Sequence, residues 1–215
     1  HRRHARLQAT GRGERRGRTR HVVAQDHVLA HAVVVVVTLG GDVDAAGRRV
    51  TDEGRALVGA KYGAFFYNVT REDGDAYMLY TLSGAPQEAF EKFGLPRNTS
   101  LFAPTFSGQA VVRRDDIRKD PRYGRMPPHF GMPEGHLPVA SYLAVPVVSP
   151  RGGVIGGLFF GHPEPAQFTE QHERMARALT AHAAVALDNA RLFKEARDAE
   201  ERQAGVVRDL ERAVR

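Results

Sequence analysis

From about Asp44 onward the apolar residues recur at spacings that mark secondary structure. Val50, Ala56, Leu57 and Ala60 suit the buried side of a short helix that Gly59 closes. Two apolar runs, Tyr62 to Val69 and Ala76 to Leu82, flank the polar turn Arg71-Glu72-Asp73-Gly74-Asp75 and predict a β-hairpin or meander. A short helix is expected from Pro86 to Phe93, with Pro86 in the tolerated first turn. Short strands are expected from Ser100 to Phe106 and from Ala110 to Val112. The strongest β signal is Ser141 to Val148, which leads through Pro150-Arg151-Gly152-Gly153 into Val154 to Gly161. The chemistry of that turn argues for a second antiparallel hairpin. Pro146 lacks an N–H and belongs at an edge or a bulge; Gly156 and Gly157 weaken a strand unless another element, such as a helix, approaches the backbone there.

A long helix follows. Thr169 is placed as its N-cap, with Glu170 and Glu173 near the positive end of the helix dipole. His172 stands where a capping box would have Glu or Gln. No Pro follows, and only Gly205 interrupts. A seven-residue apolar stripe runs from Ala178 through Val185, Leu192, Ala199 and Val206 to Ala213. Its first half can pack on the sheet. Beyond Phe193 it needs a partner, and a parallel copy of the same chain is the simplest one. Leu210, Ala213 and Val214 still hold the stripe with no Gly cap or Pro stop, the pattern of a connector to a further domain.

Charge changes the picture only at one end. The net charge is +6, but residues 1–50 carry 10 Arg against 4 acidic residues, whereas residues 51–215 carry 21 basic and 21 acidic residues. Arg, His and Gly dominate from His1 to His21 without periodicity, so residues 1–43 are read as a basic leader, disordered or not native to the domain. The run Val28 to Leu39 is too short to span a bilayer, which needs about 20 apolar residues, and Asp26-His27 before it do not fit a secretory signal. No membrane role is expected. No aromatic residue is interleaved with the arginines to stack on bases, so nucleic-acid binding rests on composition alone. The absence of Cys excludes a disulfide framework, a thiolate zinc site and a Cys nucleophile.

Tyr142-Leu143-Ala144-Val145-Pro146-Val147, the glycine turn, Val154 to Phe160, Phe168-Thr169-Glu170 and Ala183 to Leu192 together resemble a GAF domain. Asp115 to Tyr123 resembles that family's mid-domain loop. The resemblance runs from about Val50 to Phe193 and is strongest to GAF domains preceding the kinase core of bacterial sensor histidine kinases. It implies an α+β fold: an antiparallel sheet of about six strands flanked by helices, with a long C-terminal helix of coiled-coil type. The implied organisation is a leader at 1–43, a GAF domain at 44–193 and a signalling helix at 194–215. The Gly47-Arg48-Arg49 stretch departs from the apolar helix expected before Val50 in relatives.

The resemblance also bounds the chemistry. Methionine sulfoxide reduction and covalent bilin attachment, both found in relatives, need a Cys that this chain lacks. Neither His172 nor His182 has the surroundings of a phosphoacceptor histidine. Phe168 and Glu173 match part of the cyclic-nucleotide signature, but His172 replaces its Asp and the Asn-Lys pair is missing. No catalytic constellation is found, and the chain is not expected to be an enzyme by itself.

For ligand contact, the segment Met126 to Pro138 stands out; in the family it lies over the pocket beside the sheet, and its prolines favour an ordered lid. It supplies Met126, His129, Met132 and His136, and Tyr67, Tyr80, Phe102, Phe106, Tyr142 and Phe160 are the aromatic candidates for the walls. Plain core packing is the competing reading for most of these rings. Haem would use His129 or His136 as axial ligand, and a metal would add Glu134, but spacing within a loop fixes no geometry. The expectation is a cytoplasmic sensory module that binds an unidentified ligand and signals through a dimeric helix to an output domain. A basic nucleic-acid- or surface-binding protein is the alternative. Deleting residues 1–43 separates the two, since only the nucleic-acid binder would lose salt-sensitive affinity.

Overall fold

The computed structural model describes residues 43–71, 74–86, 88, 99–127 and 129–213. Helix α1 spans Val43–Leu57, strands β1 and β2 span Tyr62–Arg71 and Gly74–Ser83, and a one-turn helix α2 spans Ala103–Phe106. Strand β3 (Val112–Arg114), a 3-10 turn (Ile117–Lys119), strands β4 (Ser141–Val148) and β5 (Val154–His162) and the long helix α3 (Glu170–Ala213) complete the order. The strands form one antiparallel sheet in the order β2-β1-β5-β4-β3. These five, among the described residues, compare with the six or so expected.

Both sheet faces are covered, which is why β4 and β5 read as unbroken apolar runs rather than alternating ones. Leu143, Val145, Val147, Leu158 and Phe160 join Phe65 in a core shared with α1 and α3. Tyr142, Ala144 and Phe159, one residue out of phase, join Ala64, Leu101, Phe106, Val112 and Ile117 on the opposite face.

Helix α1 begins earlier than the sequence reading placed it and runs through Gly47-Arg48-Arg49 unbroken. Ala46, Val50 and Gly54 recur every fourth residue on its buried side, while Arg48 and Arg49 stay outside. Ala56, expected on the buried side, is exposed. Gly59, with φ +63°, closes the helix as expected, and the Ala60 N–H donates back to the Arg55 carbonyl at 3.0 Å. At Gly54 the two helices and β5 converge: a Cβ there would lie 2.8 Å from the Phe160 ring and 2.9 Å from Leu179. Thr51 ties α1 to β2 through a 2.6 Å hydroxyl pair with Thr81.

Two expected strands are corrected. Ser100 to Phe106 is a turn followed by α2, because Pro104 sits in the first turn of that helix, where its missing N–H costs nothing. The strand placed at Ala110 to Val112 is β3, shifted to Val112–Arg114 by its pairing with Ala144, Leu143 and Tyr142. The helix placed at Pro86 to Phe93 lies outside the described residues, apart from Pro86 itself and the helical Glu88. The leader at 1–43 lies outside them too, except Val43.

Pro146 behaves as expected. β3 ends opposite Ala144, so the proline occupies a stretch of β4 with an open edge, just before a register shift at Val147/Val148. Gly156 and Gly157 do face close neighbours, but not the long helix. A Cβ on Gly156 would strike the Phe66 carbonyl of β1, and one on Gly157 would lie 3.0 Å from Thr105 of α2.

At the start of α3, Thr169 and His172 cap each other. The His172 amide donates to Thr169 Oγ1 at 3.5 Å and the Thr169 amide donates to His172 Nδ1 at 3.2 Å, so an imidazole does the work of the missing Glu. Ala176, Leu179, Thr180, Ala183, Ala184 and Leu187 form the buried face of α3. The 3.6-residue period of that face splits the stripe. Leu179 and Ala186, each next in sequence to a stripe residue, turn inward, while Val185 and Val206 of the stripe are 45% and 59% exposed and Phe193 beside it is 59% exposed. Asp188 is the last buried residue of the helix among those described. It accepts from Ser149 Oγ at 2.9 Å and from Arg191 Nη2 at 3.0 Å, tying α3 to the β4–β5 turn.

Candidate ligand cavity

The sheet face opposite α1 and α3 carries a cavity of about 540 Å³, within the usual range for small-molecule sites of roughly 300–1,000 Å³. Its floor is Ala64 and Phe66 of β1, Tyr142 of β4 and Phe159 of β5. Leu101 and Phe102 form one side, and the segment from Arg122 to Val139 closes over the other. The rings pack edge-on, with centroids 5.0 Å apart for Phe66 and Phe159 and 5.7 Å for Phe102 and Phe159.

The covering loop is pinned from below. The Met132 amide donates to Tyr123 Oη at 3.0 Å, and Gly131 (φ +131°) lies so close to that ring that a Cβ would come within 3.1 Å of its oxygen. Phe130, at the tip, is exposed and holds a left-handed φ of +48°.

One charged network reaches the wall. Asp120, whose side chain is fully buried, accepts from Arg122 Nε at 2.9 Å and Nη2 at 2.7 Å and from Arg114 Nε at 2.6 Å. The Arg122 bonds above all, with that from Arg114, outweigh burial and hold the Asp120 carboxyl well below the usual carboxylate range. Arg122 also donates from Nη1 to the Ser100 carbonyl at 3.3 Å, and its pKa is raised by its bonds to Asp120. The Tyr142 hydroxyl is buried without a hydrogen-bond partner among the described residues, and Tyr142 lines the cavity. Burial pushes its pKa well above the ordinary value, with the Arg122 charge opposing. Burial lowers the His136 pKa, partly offset by a 2.7 Å bond in which Nδ1 donates to the Leu137 carbonyl.

The sequence-derived candidates divide sharply. Phe102, Met126, His129, Met132, His136 and Tyr142 all line the cavity. Phe160 borders it, but its ring lies toward Gly54 in the helix-side core. Tyr67 packs on that helix-side core as well, two residues on from Phe65 and in the same phase. Phe106 stacks behind the wall on Phe66 and Phe159 and is not among the lining residues. The Tyr80 side chain lies outside the described residues. Among the described residues, no three His, Asp or Glu side chains are grouped to hold a metal ion. Arg122 and Tyr123 went unnoticed as wall residues. Their signal was the Asp-x-Arg spacing of Asp120 and Arg122, which lets the carboxylate cap its own turn and grip the guanidinium.

A family model described as a GAF domain matches residues 41–188. The chain belongs to the GAF domain family. The GAF domain of a phosphoenolpyruvate-protein phosphotransferase from Coxiella burnetii superposes with a TM-score of 0.65 at 18% identity, covering 80% of this chain and 96% of that one. A free methionine-R-sulfoxide reductase from Neisseria meningitidis, in complex with its substrate, gives 0.59 at 17% identity over 78% and 90%. A GAF domain assigned to a sensor histidine kinase of Pseudomonas syringae pv. tomato gives 0.57 at 13% identity over 87% and 99%. At these identities the likeness is one of fold. No helix among the described residues of this GAF domain is long and apolar enough to cross a membrane.

Proposed function

We propose that this GAF domain is the sensory module of a cytoplasmic bacterial signal-transduction protein, and that its output domain is a histidine kinase of a two-component phosphorelay. A small ligand held in the cavity shifts the arrangement of two parallel α3 helices in a homodimer, and that shift is what the output domain reads. The chain itself performs no chemistry in this scheme. The observation carrying the reading is the division of the molecule into a pinned, aromatic cavity on one sheet face and a 44-residue helix that leaves the other. Val185, Phe193 and Val206 stand exposed on that helix, with Leu192 half-buried and Ala199 exposed between them. Such a seam gains by pairing with a copy of itself. Relay further requires that the two helix arrangements differ in ligand affinity.

The chain should sediment as a dimer at tens of micromolar, an order of magnitude suited to a short coiled coil. Removing residues 194–215 should shift it to monomer while circular dichroism and thermal unfolding of the domain change little. A monomeric full chain at that concentration would overturn the pairing, and with it the relay.

A further inference from the structure

We infer that the ligand taken by this cavity is a small aromatic monocarboxylate, its ring held among Phe66, Phe102 and Phe159 and its carboxylate received by the Tyr142 hydroxyl and the Arg122 guanidinium. The inference rests on the reading that the cavity is the sensory pocket, and adds the chemical class of what enters it.

Three observations converge. First, Tyr142 lines the cavity, and its hydroxyl is buried with no hydrogen-bond partner among the described residues. A buried hydroxyl left unpaired costs stability, so such a group calls for an explanation, and a bound acceptor supplies one. Its burial favours the protonated form, so the phenol presents an O–H donor at neutral pH.

Second, the charge beside it is unbalanced. Asp120 is gripped by both Arg114 and Arg122, two cations on one carboxylate. Arg122 engages three of its N–H groups, two on Asp120 and one on the Ser100 carbonyl, out of the five a guanidinium offers. It lines the same cavity as Tyr142. A ligand carboxylate would complete an alternating network of two cations and two anions. Among the described residues the lining also contains Arg125 and neither Asp nor Glu, so a ligand ammonium would meet positive charge without a counter-ion there.

Third, the remainder of the floor is aromatic and apolar. The edge-on rings offer a planar hydrocarbon face-to-edge contacts that a flexible aliphatic chain exploits less well.

The test uses the full chain with benzoate, phenylacetate and indole-3-acetate, each beside its primary amide, together with tryptamine and indole, followed by titration calorimetry and ligand-detected NMR. At least one acid should bind about tenfold or more tightly than its amide, the margin expected of a charge-assisted hydrogen bond. Tyr142→Phe should reduce that affinity by a similar factor while leaving indole binding unchanged. The unliganded Tyr142→Phe protein should have an unchanged or higher Tm, because the hydroxyl it loses has no partner to lose. Equal affinity for acid and amide, preference for tryptamine, or an acid that binds Tyr142→Phe as well as wild type would overturn the carboxylate inference. Indole binding with no acid preferred leaves the pocket standing and removes only the class. No binding across the panel, indole included, removes both.

Discussion

Gly156→Ala should destabilise the domain by about 3 kcal/mol, measured by urea denaturation, whereas Gly153→Ala three residues earlier should change stability by less than about 0.5 kcal/mol. The contrast isolates one cause. A Cβ on Gly156 would run into the Phe66 carbonyl of the neighbouring strand, while a Cβ on Gly153 meets nothing within 4 Å. Neither residue holds a left-handed φ, so the penalty is steric rather than conformational. Backbone cannot step aside as a side chain can, and β1 and β5 would have to part at Phe66 and Tyr67. Phe66 belongs to the cavity floor, so the variant should lose ligand affinity along with stability. Equal denaturation midpoints for the two variants would refute the close approach.

Asp120→Ala should cost about 3 kcal/mol. The figure is the low end for breaking a buried pair, because Arg114 and Arg122 are both partly exposed and water can solvate them once their partner is gone. The pH dependence follows from the direction of the Asp120 shift. Its folded-state pKa lies below the unfolded value of about 3.9. The stability it contributes is therefore fully present above the unfolded value and is lost as pH falls toward the folded one. Wild type should lose stability progressively below about pH 5, and the variant should lose less over the same interval. Parallel curves for the two proteins below that pH would show that Asp120 is not the titrating group. Arg122, released from its clamp, should also stop forming a fixed part of the cavity wall.

Much of this was legible in the residues themselves. The β4–β5 hairpin announces itself because a sheet covered on both faces needs continuous apolar strands, and Gly152 with φ +95° marks the turn between them. Pro146 signals the open edge correctly, since a missing N–H is tolerated only where no neighbour asks for it. Residues 100–106 misled because a one-turn helix is too short to show a period, and aromatic composition then reads as strand. Around the cavity, strand phase decides where each ring lies. Phe159 and Phe160 are identical in type and adjacent in sequence, yet the pleat sends one ring to the cavity and the other to the helices. The Asp-x-Arg pattern occurs twice, at Asp116/Arg118 and Asp120/Arg122, with the same local hydrogen bonds. Only the second carboxylate has Arg114 of β3 folded over it as well. That contact spans six residues and depends on how β3 leads into the 3-10 turn, which the Asp-x-Arg spacing itself does not report.

The tether at Asp188 gives the long helix a mechanical property. Before it one face of the helix packs on the core, and beyond it Ala190 still touches that core but no described residue is fully buried, so Asp188 lies close to where the helix leaves the domain. From Asp188 to Ala213 the arm is roughly 37 Å long at 1.5 Å per residue. A tilt of about 5° at the β4–β5 turn would swing the far end by roughly 3 Å. Under the proposed relay, a small adjustment of the sheet would thus reach the helix end as a displacement comparable to half a helical turn.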